Sequence, residues 1–155
     1  MKIKKLIAVA LMTLALLTGL LWGYYLKQNS RIDCQGRVVW DINDEQFQGD
    51  VAYQLHHGQG VATITGELKK TREEKYKISR IVYFNYQNVR NNYIISSTDL
   101  VRFPTDDLSD TGKQWAMPNL YLTEGASFSL KITSWQEGWA FTTIGGPSLL
   151  CRRVE

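Results

Sequence analysis

His56 and His57 are adjacent and are the only histidines in the 155-residue chain. Apolar residues alternate with polar ones in this region, which predicts a strand over 47–57 and a hairpin turn over 58–60. Neighbouring side chains of a strand point to opposite faces, so the two imidazoles are not expected to bind one metal ion together. Ser148 lacks the Gly-x-Ser-x-Gly context of a hydrolase nucleophile. We therefore expect no metal site, no cofactor and no enzyme activity.

Asp41, Asn43 and Glu45 follow the spacing with which a calcium-binding loop begins. Such a loop needs a glycine at the next position and a glutamate at its end. Gln46 and Ala52 stand there instead. The sequence thus predicts no calcium site in this segment.

Cys34 and Cys151 are the only cysteines in the chain. Two cysteines in an oxidising compartment favour one disulfide, whereas in a reducing cytoplasm they would be two separate buried thiols. We expect the disulfide. It would bring the first and last strands of the domain together.

Aromatic residues are abundant, and six of them are candidates for lining a ligand cavity or a protein interface. They are Trp40, Tyr53, Tyr83, Tyr86, Trp135 and Trp139. Tyrosine and tryptophan are enriched at binding surfaces, and a barrel of about eight strands can hold one small ligand. The alternative is that these rings only build the core.

The elements that would position these residues are strands. From Cys34 onwards, short alternating runs are separated by Gly, Asn and Asp, and no run shows a helical period. Eight or nine strands with hairpin-length turns predict an all-β antiparallel barrel or sandwich over 34–155. We prefer the barrel, because a disulfide would tie its first strand to its last.

The segment Leu6–Leu26 contains no charged residue. A helix of this length reaches across a bilayer's hydrocarbon core, so we expect one transmembrane helix. Lys2, Lys4 and Lys5 precede it, which predicts a cytoplasmic N-terminus over 1–5. A cleaved signal peptide is the alternative, but its apolar region would be shorter and followed by a small-x-small site.

A neck over 27–33 would join this helix to the barrel. Gly19 and Gly23 have the spacing of a helix-packing motif and are candidates for contact with another transmembrane helix.

The part of the chain after residue 26 is electrically neutral. Three of the 18 basic residues are Lys2, Lys4 and Lys5, which leaves 15 basic residues against all 15 acidic ones. Nucleic-acid binding needs a positive surface, so we expect no nucleic-acid partner.

The layout resembles a known family. A short N-terminal anchor, Cys34-Gln35-Gly36 at the start of the domain and Cys151-Arg152 near its end resemble the FidL-like membrane proteins of enteric bacteria, which look like relatives of the ToxS-type accessory proteins. The resemblance implies a lipocalin-like periplasmic barrel on a single-pass inner-membrane protein. This barrel would bind and stabilise a ToxR-like membrane transcription regulator, with a bile-salt-like amphiphile as candidate ligand. A stand-alone lipocalin-like carrier of small molecules is the alternative.

Overall fold

The structure is a computed structural model. It describes residues 2–28, 31–42, 44–70, 74–108, 117–143 and 146–154. The chain divides into two compact units, Met1–Arg31 and Ile32–Glu155.

The first unit contains one described helix, α1 (Lys2–Gln28). This confirms the expected helix, and its described apolar side chains from Ala10 to Tyr25 are exposed. No helix among the described residues is long and apolar enough to cross a membrane. The expected membrane span over Leu6–Leu26 is therefore not confirmed. A Cβ placed on Gly19 or Gly23 would meet no atom within 4 Å, so both positions are open to a neighbour.

The second unit is a closed antiparallel barrel of eight strands, which confirms the predicted fold class. The strands are β1 (Ile32–Ile42), β2 (Glu45–His56), β3 (Gln59–Lys69), β4 (Lys75–Val89), β5 (Asn92–Arg102), β6 (Ser127–Trp135), β7 (Gly138–Thr143) and β8 (Gly146–Arg153). Each strand pairs with the next along the chain, and β8 pairs with β1.

The seam between β1 and β8 is short. Among the described residues, its ladder consists of Cys34 opposite Arg153 and Gln35 opposite Arg152. Cys34 and Cys151 form the expected disulfide beside this ladder, with 5.3 Å between their Cα atoms. The covalent bond therefore reinforces the seam that has the fewest backbone pairs.

Alternation decides which side chains fill the barrel. On β3, Ala62, Ile64 and Leu68 are completely buried, whereas Thr65 and Glu67 are exposed. Fully burying an isoleucine or leucine contributes roughly 1.5–3 kcal/mol, so this register is strongly favoured over one shifted by a residue.

One end of the barrel is covered by the described residues of the connection between β5 and β6, 103–108 and 117–126. This connection includes a short 3-10 helix, Asn119–Tyr121. Leu108, Leu120 and Tyr121 from this connection are buried in the core.

Candidate functional site

A group of exposed and half-buried apolar side chains lies on the outer surface of β3, β4 and β5 and the residue after β5. We call it the outer patch, and it consists of Val61, Ile81, Tyr83, Val101 and Phe103. Tyr83, Val101 and Phe103 are 42%, 41% and 43% exposed. Val61 lies opposite Tyr83, and Ile81 lies opposite Val101, so the side chains are neighbours across three strands. The patch is therefore continuous.

A β-bulge in β5 places two of the five residues of the outer patch, Val101 and Phe103, on the outer surface. Tyr83 pairs with Asp99 and Phe84 pairs with Ser97, so Thr98 has no opposite residue. The extra residue reverses the alternation of β5. Without it, Val101 would point into the barrel. The sequence alone gave no sign of this bulge.

The surface around the outer patch is largely uncharged. Ala52 on β2 lies opposite Thr63, which in turn lies opposite Ile81. Asp99 is the acidic residue that adjoins Tyr83. An apolar surface continuous over several strands is typical of a site that binds another macromolecule. Such a face can bury apolar area against a partner without desolvating many charges.

Two of the predicted aromatics, Trp40 and Tyr53, belong to the barrel interior. Trp40 stacks on Phe47 with 5.2 Å between ring centroids, and Tyr53 stacks on Phe141 at 4.8 Å. The Trp40 indole N–H donates to the Ser148 carbonyl oxygen across the β1–β8 seam (3.3 Å). These rings build the core.

Tyr53 and Tyr121 share a hydrogen bond between their buried hydroxyl groups. Burial raises the pKa of Tyr53 to about 12, although the hydrogen bond from Tyr121 partly opposes this. Burial, together with the proximity of Tyr53, raises the pKa of Tyr121 well above its usual value. Both hydroxyls therefore stay neutral throughout the physiological range.

A small cavity lies beside this tyrosine pair. Its volume is about 20 Å³, and its lining includes Trp40, Tyr53, Tyr121, Phe128 and Phe141. This is room for about one water molecule, whereas sites for drug-sized ligands measure roughly 300–1,000 Å³. The cavity as it stands cannot hold a bile salt.

A buried ion pair, which no sequence pattern predicts, holds the covered end of the barrel. The Arg80 guanidinium donates to both carboxylate oxygens of Asp106, at 2.6 and 3.0 Å, and to the Tyr121 carbonyl oxygen at 2.9 Å. Burial alone would raise the pKa of Asp106. The hydrogen bonds from Arg80 and from the backbone N–H groups of Ser79 and Leu108 outweigh it and lower that pKa below its usual value.

The other predicted aromatics lie apart from one another. Tyr86 packs near Tyr93, with 5.6 Å between the ring centroids. The Arg153 guanidinium lies 5.2 Å from the centre of a Trp139 ring. Trp135 is 43% exposed beside the β6–β7 turn. The six rings therefore do not form one site, and Tyr83 is the member that belongs to the outer patch.

The expectation that His56 and His57 point to opposite faces of one strand is wrong. His57 is not part of a strand but of the turn after β2, and the centroids of the two rings are 3.7 Å apart. Within the described part of the chain, no three His, Cys, Asp or Glu side chains are grouped so that they could hold a metal ion.

Comparison with known proteins identifies one family. The family described as the YqeJ C-terminal domain matches residues 31–151, and the chain belongs to it. No curated protein and no solved structure matches the chain. This match does not test the resemblance to FidL-like and ToxS-type proteins, which stays a prediction.

Proposed function

We propose that this chain is an accessory protein whose barrel binds and stabilises a second membrane protein through the outer patch. The resemblance of Cys34-Gln35-Gly36 and Cys151-Arg152 to FidL-like and ToxS-type proteins points to a ToxR-like transcription regulator as that partner. The observation that carries the proposal is the exposure of Tyr83, Val101 and Phe103 on one face.

The β5 bulge is the reason for assigning this face a role. Covering an apolar side chain with other apolar atoms lowers the free energy in proportion to the area removed from water. This applies to Tyr83, Val101 and Phe103. A bulge that turns Val101 and Phe103 outwards forgoes that gain within the barrel. A bound partner restores it.

We place the barrel in the bacterial periplasm, tethered to the inner membrane by residues 6–26. The absence of charge from this segment and the lysines at positions 2, 4 and 5 support a single-pass helix with a cytoplasmic N-terminus. The Cys34–Cys151 disulfide supports an oxidising compartment for the barrel. Alkaline extraction tests the tether, because a spanning helix keeps the chain in the membrane pellet.

The carrier alternative has weaker support. The cavity beside Tyr53 and Tyr121 has room for about one water molecule. A carrier of bile salts would have to displace large rings such as Tyr121 and Phe141 from the core. Sensing of an amphiphile therefore fits better at a surface shared with the partner than inside this barrel.

Two matched substitutions test the proposal. Val101→Lys places a charge in the outer patch, and Val39→Lys places the same charge on the outer face of β1, where Val39 is 57% exposed. Both variants should keep the barrel fold, because each side chain points to solvent. The measurement is co-purification of membrane proteins with the full-length chain, expressed at its natural level and solubilised in detergent.

We expect the Val39→Lys variant to retain a regulator with a cytoplasmic DNA-binding domain and the Val101→Lys variant to lose it. Retention of the same partner by both variants would place the interface elsewhere. Recovery of the unaltered chain alone, with no membrane regulator, would refute the proposed function. Titration of bile salts into the same preparation distinguishes a stand-alone carrier from an accessory protein, because a carrier binds bile salts without a partner.

A further inference from the structure

The hairpin turn between β2 and β3 holds both histidines at its tip. β2 ends at His56, and His57 and Gly58 form a two-residue loop with φ angles of 50° and 80°. Positive φ at both loop residues is the geometry of a type I′ hairpin. The Tyr86 backbone N–H donates to the Gly58 carbonyl oxygen (2.8 Å) and ties the loop to β4. The two imidazoles therefore project from a turn whose backbone is held in place by a hydrogen bond to β4.

Histidine is not the residue that this backbone favours at position 57. Asparagine and aspartate are preferred at the first position of a type I′ loop, because they tolerate positive φ best. Histidine also occurs at positive φ more often than most residues, so the turn tolerates His57 but does not require it. What His57 adds is a second exposed ring, 3.7 Å from that of His56 between centroids.

We propose that His56 and His57 together bind one divalent transition-metal ion of the class that prefers imidazole: Zn²⁺, Cu²⁺ or Ni²⁺. Neutral imidazole nitrogens ligate such ions at about 2.0–2.1 Å. Two rings that share an ion at this bond length lie about 5 Å apart between centroids, so the exposed side chains have to open only slightly. Water fills the remaining positions, since no group of three ligating side chains occurs among the described residues. The site shares no residue with the outer patch.

The full-length chain in detergent, with its disulfide intact, is titrated with Cu²⁺ and separately with Zn²⁺. Calorimetry measures stoichiometry and affinity for both ions. Electron paramagnetic resonance of the Cu²⁺ complex reports how many nitrogen ligands surround the ion. The variants are His57→Asn, which suits the type I′ backbone better than histidine, and His56→Gln, which keeps a polar side chain on the outer face of β2.

We expect one ion per chain, two imidazole nitrogens in the spectrum, and affinity reduced by at least about tenfold in either variant, because each loses one of two ligands. The unfolding midpoint of His57→Asn should equal or exceed that of the unaltered chain, which shows that the loss is not due to misfolding. Affinity unchanged in both variants, or a spectrum with a single imidazole nitrogen, would overturn the shared site. A loss in His56→Gln alone would likewise show that the rings do not act together.

Discussion

Arg80 and Asp106 form a two-pronged ion pair inside the barrel, although they are 26 residues apart in sequence. Both side chains are almost completely buried. The Asp106 carboxylate also accepts hydrogen bonds from the backbone N–H groups of Ser79 and Leu108, at 3.0 and 3.3 Å. Arg80 donates to the carbonyl oxygen of Tyr121. The pair therefore fixes β4, the chain after β5 and the 3-10 helix to one another.

Removing one member of this pair should destabilise the barrel strongly. Arg80→Met leaves a buried carboxylate without its cation, and Asp106→Leu leaves a buried guanidinium without its anion, so each should cost about 3–5 kcal/mol of unfolding free energy. The double variant should cost clearly less than the sum of the two, because it leaves no unpaired charge. Urea unfolding of all four proteins measures the coupling. A loss of unfolding free energy in the double variant equal to the sum of the two single losses would show that Arg80 and Asp106 are not coupled.

The same pair predicts how stability depends on acid. Because the folded state lowers the pKa of Asp106 below 3.8, its contribution is present above that value and is lost as the pH falls through the folded pKa. The stability gap between the unaltered protein and an Asp106→Asn variant should therefore narrow below about pH 3.8. Urea unfolding at several pH values between 2 and 6 measures this gap. A gap that does not vary with pH would exclude the carboxylate as its source.

The fold was largely predictable, because the signals that determine it are local. The alternation that places Ala62, Ile64 and Leu68 on one face is readable over a few residues, and it agrees with the buried face of β3. The pairing of Cys34 with Cys151 followed from there being only two cysteines.

The functional features were not predictable, because each depends on register or on distant contacts. The bulge at Thr98 is a property of pairing between β4 and β5, so the outward direction of Val101 could not be read from β5 alone. The β2–β3 turn begins at His57 rather than at Gly58, and this shift of one residue reversed the argument about the histidines. The partner of Arg80 lies in the connection after β5, 26 residues further along the chain.

The disulfide should contribute substantially to the stability of the barrel. It closes a loop with a sequence separation of 117. On the chain-entropy model, a loop of this size is worth about 4–5 kcal/mol. Replacing both Cys34 and Cys151 with alanine should lower the unfolding free energy by that order and increase hydrogen exchange at Gln35 first, because the described β1–β8 ladder has two residue pairs. Reductant should destabilise the unaltered protein and leave the double variant unchanged. Equal stability with and without reductant in the unaltered protein would contradict this role.

Alkaline pH should destabilise the barrel through its buried tyrosine pair. An unfolded tyrosine ionises near pH 10, whereas burial raises the pKa of Tyr53 to about 12. Between these values the unfolded chain releases a proton that the folded chain keeps, so stability is complete below pH 10 and falls as the pH rises towards 12. A shift of two pKa units corresponds to a loss of roughly 3 kcal/mol of unfolding free energy. The raised pKa of Tyr121 adds to this loss.

The matched variants for this prediction are Tyr53→Phe/Tyr121→Phe, which removes both hydroxyls together, and Tyr83→Phe, which removes an exposed one. Urea unfolding between pH 8 and 11.5 should show a shallower decline in the double variant and no change in slope for Tyr83→Phe. Removing both hydroxyls avoids leaving one buried hydroxyl without a partner, so the comparison isolates ionisation. An equally steep decline in the double variant would mean that other groups cause the alkaline unfolding.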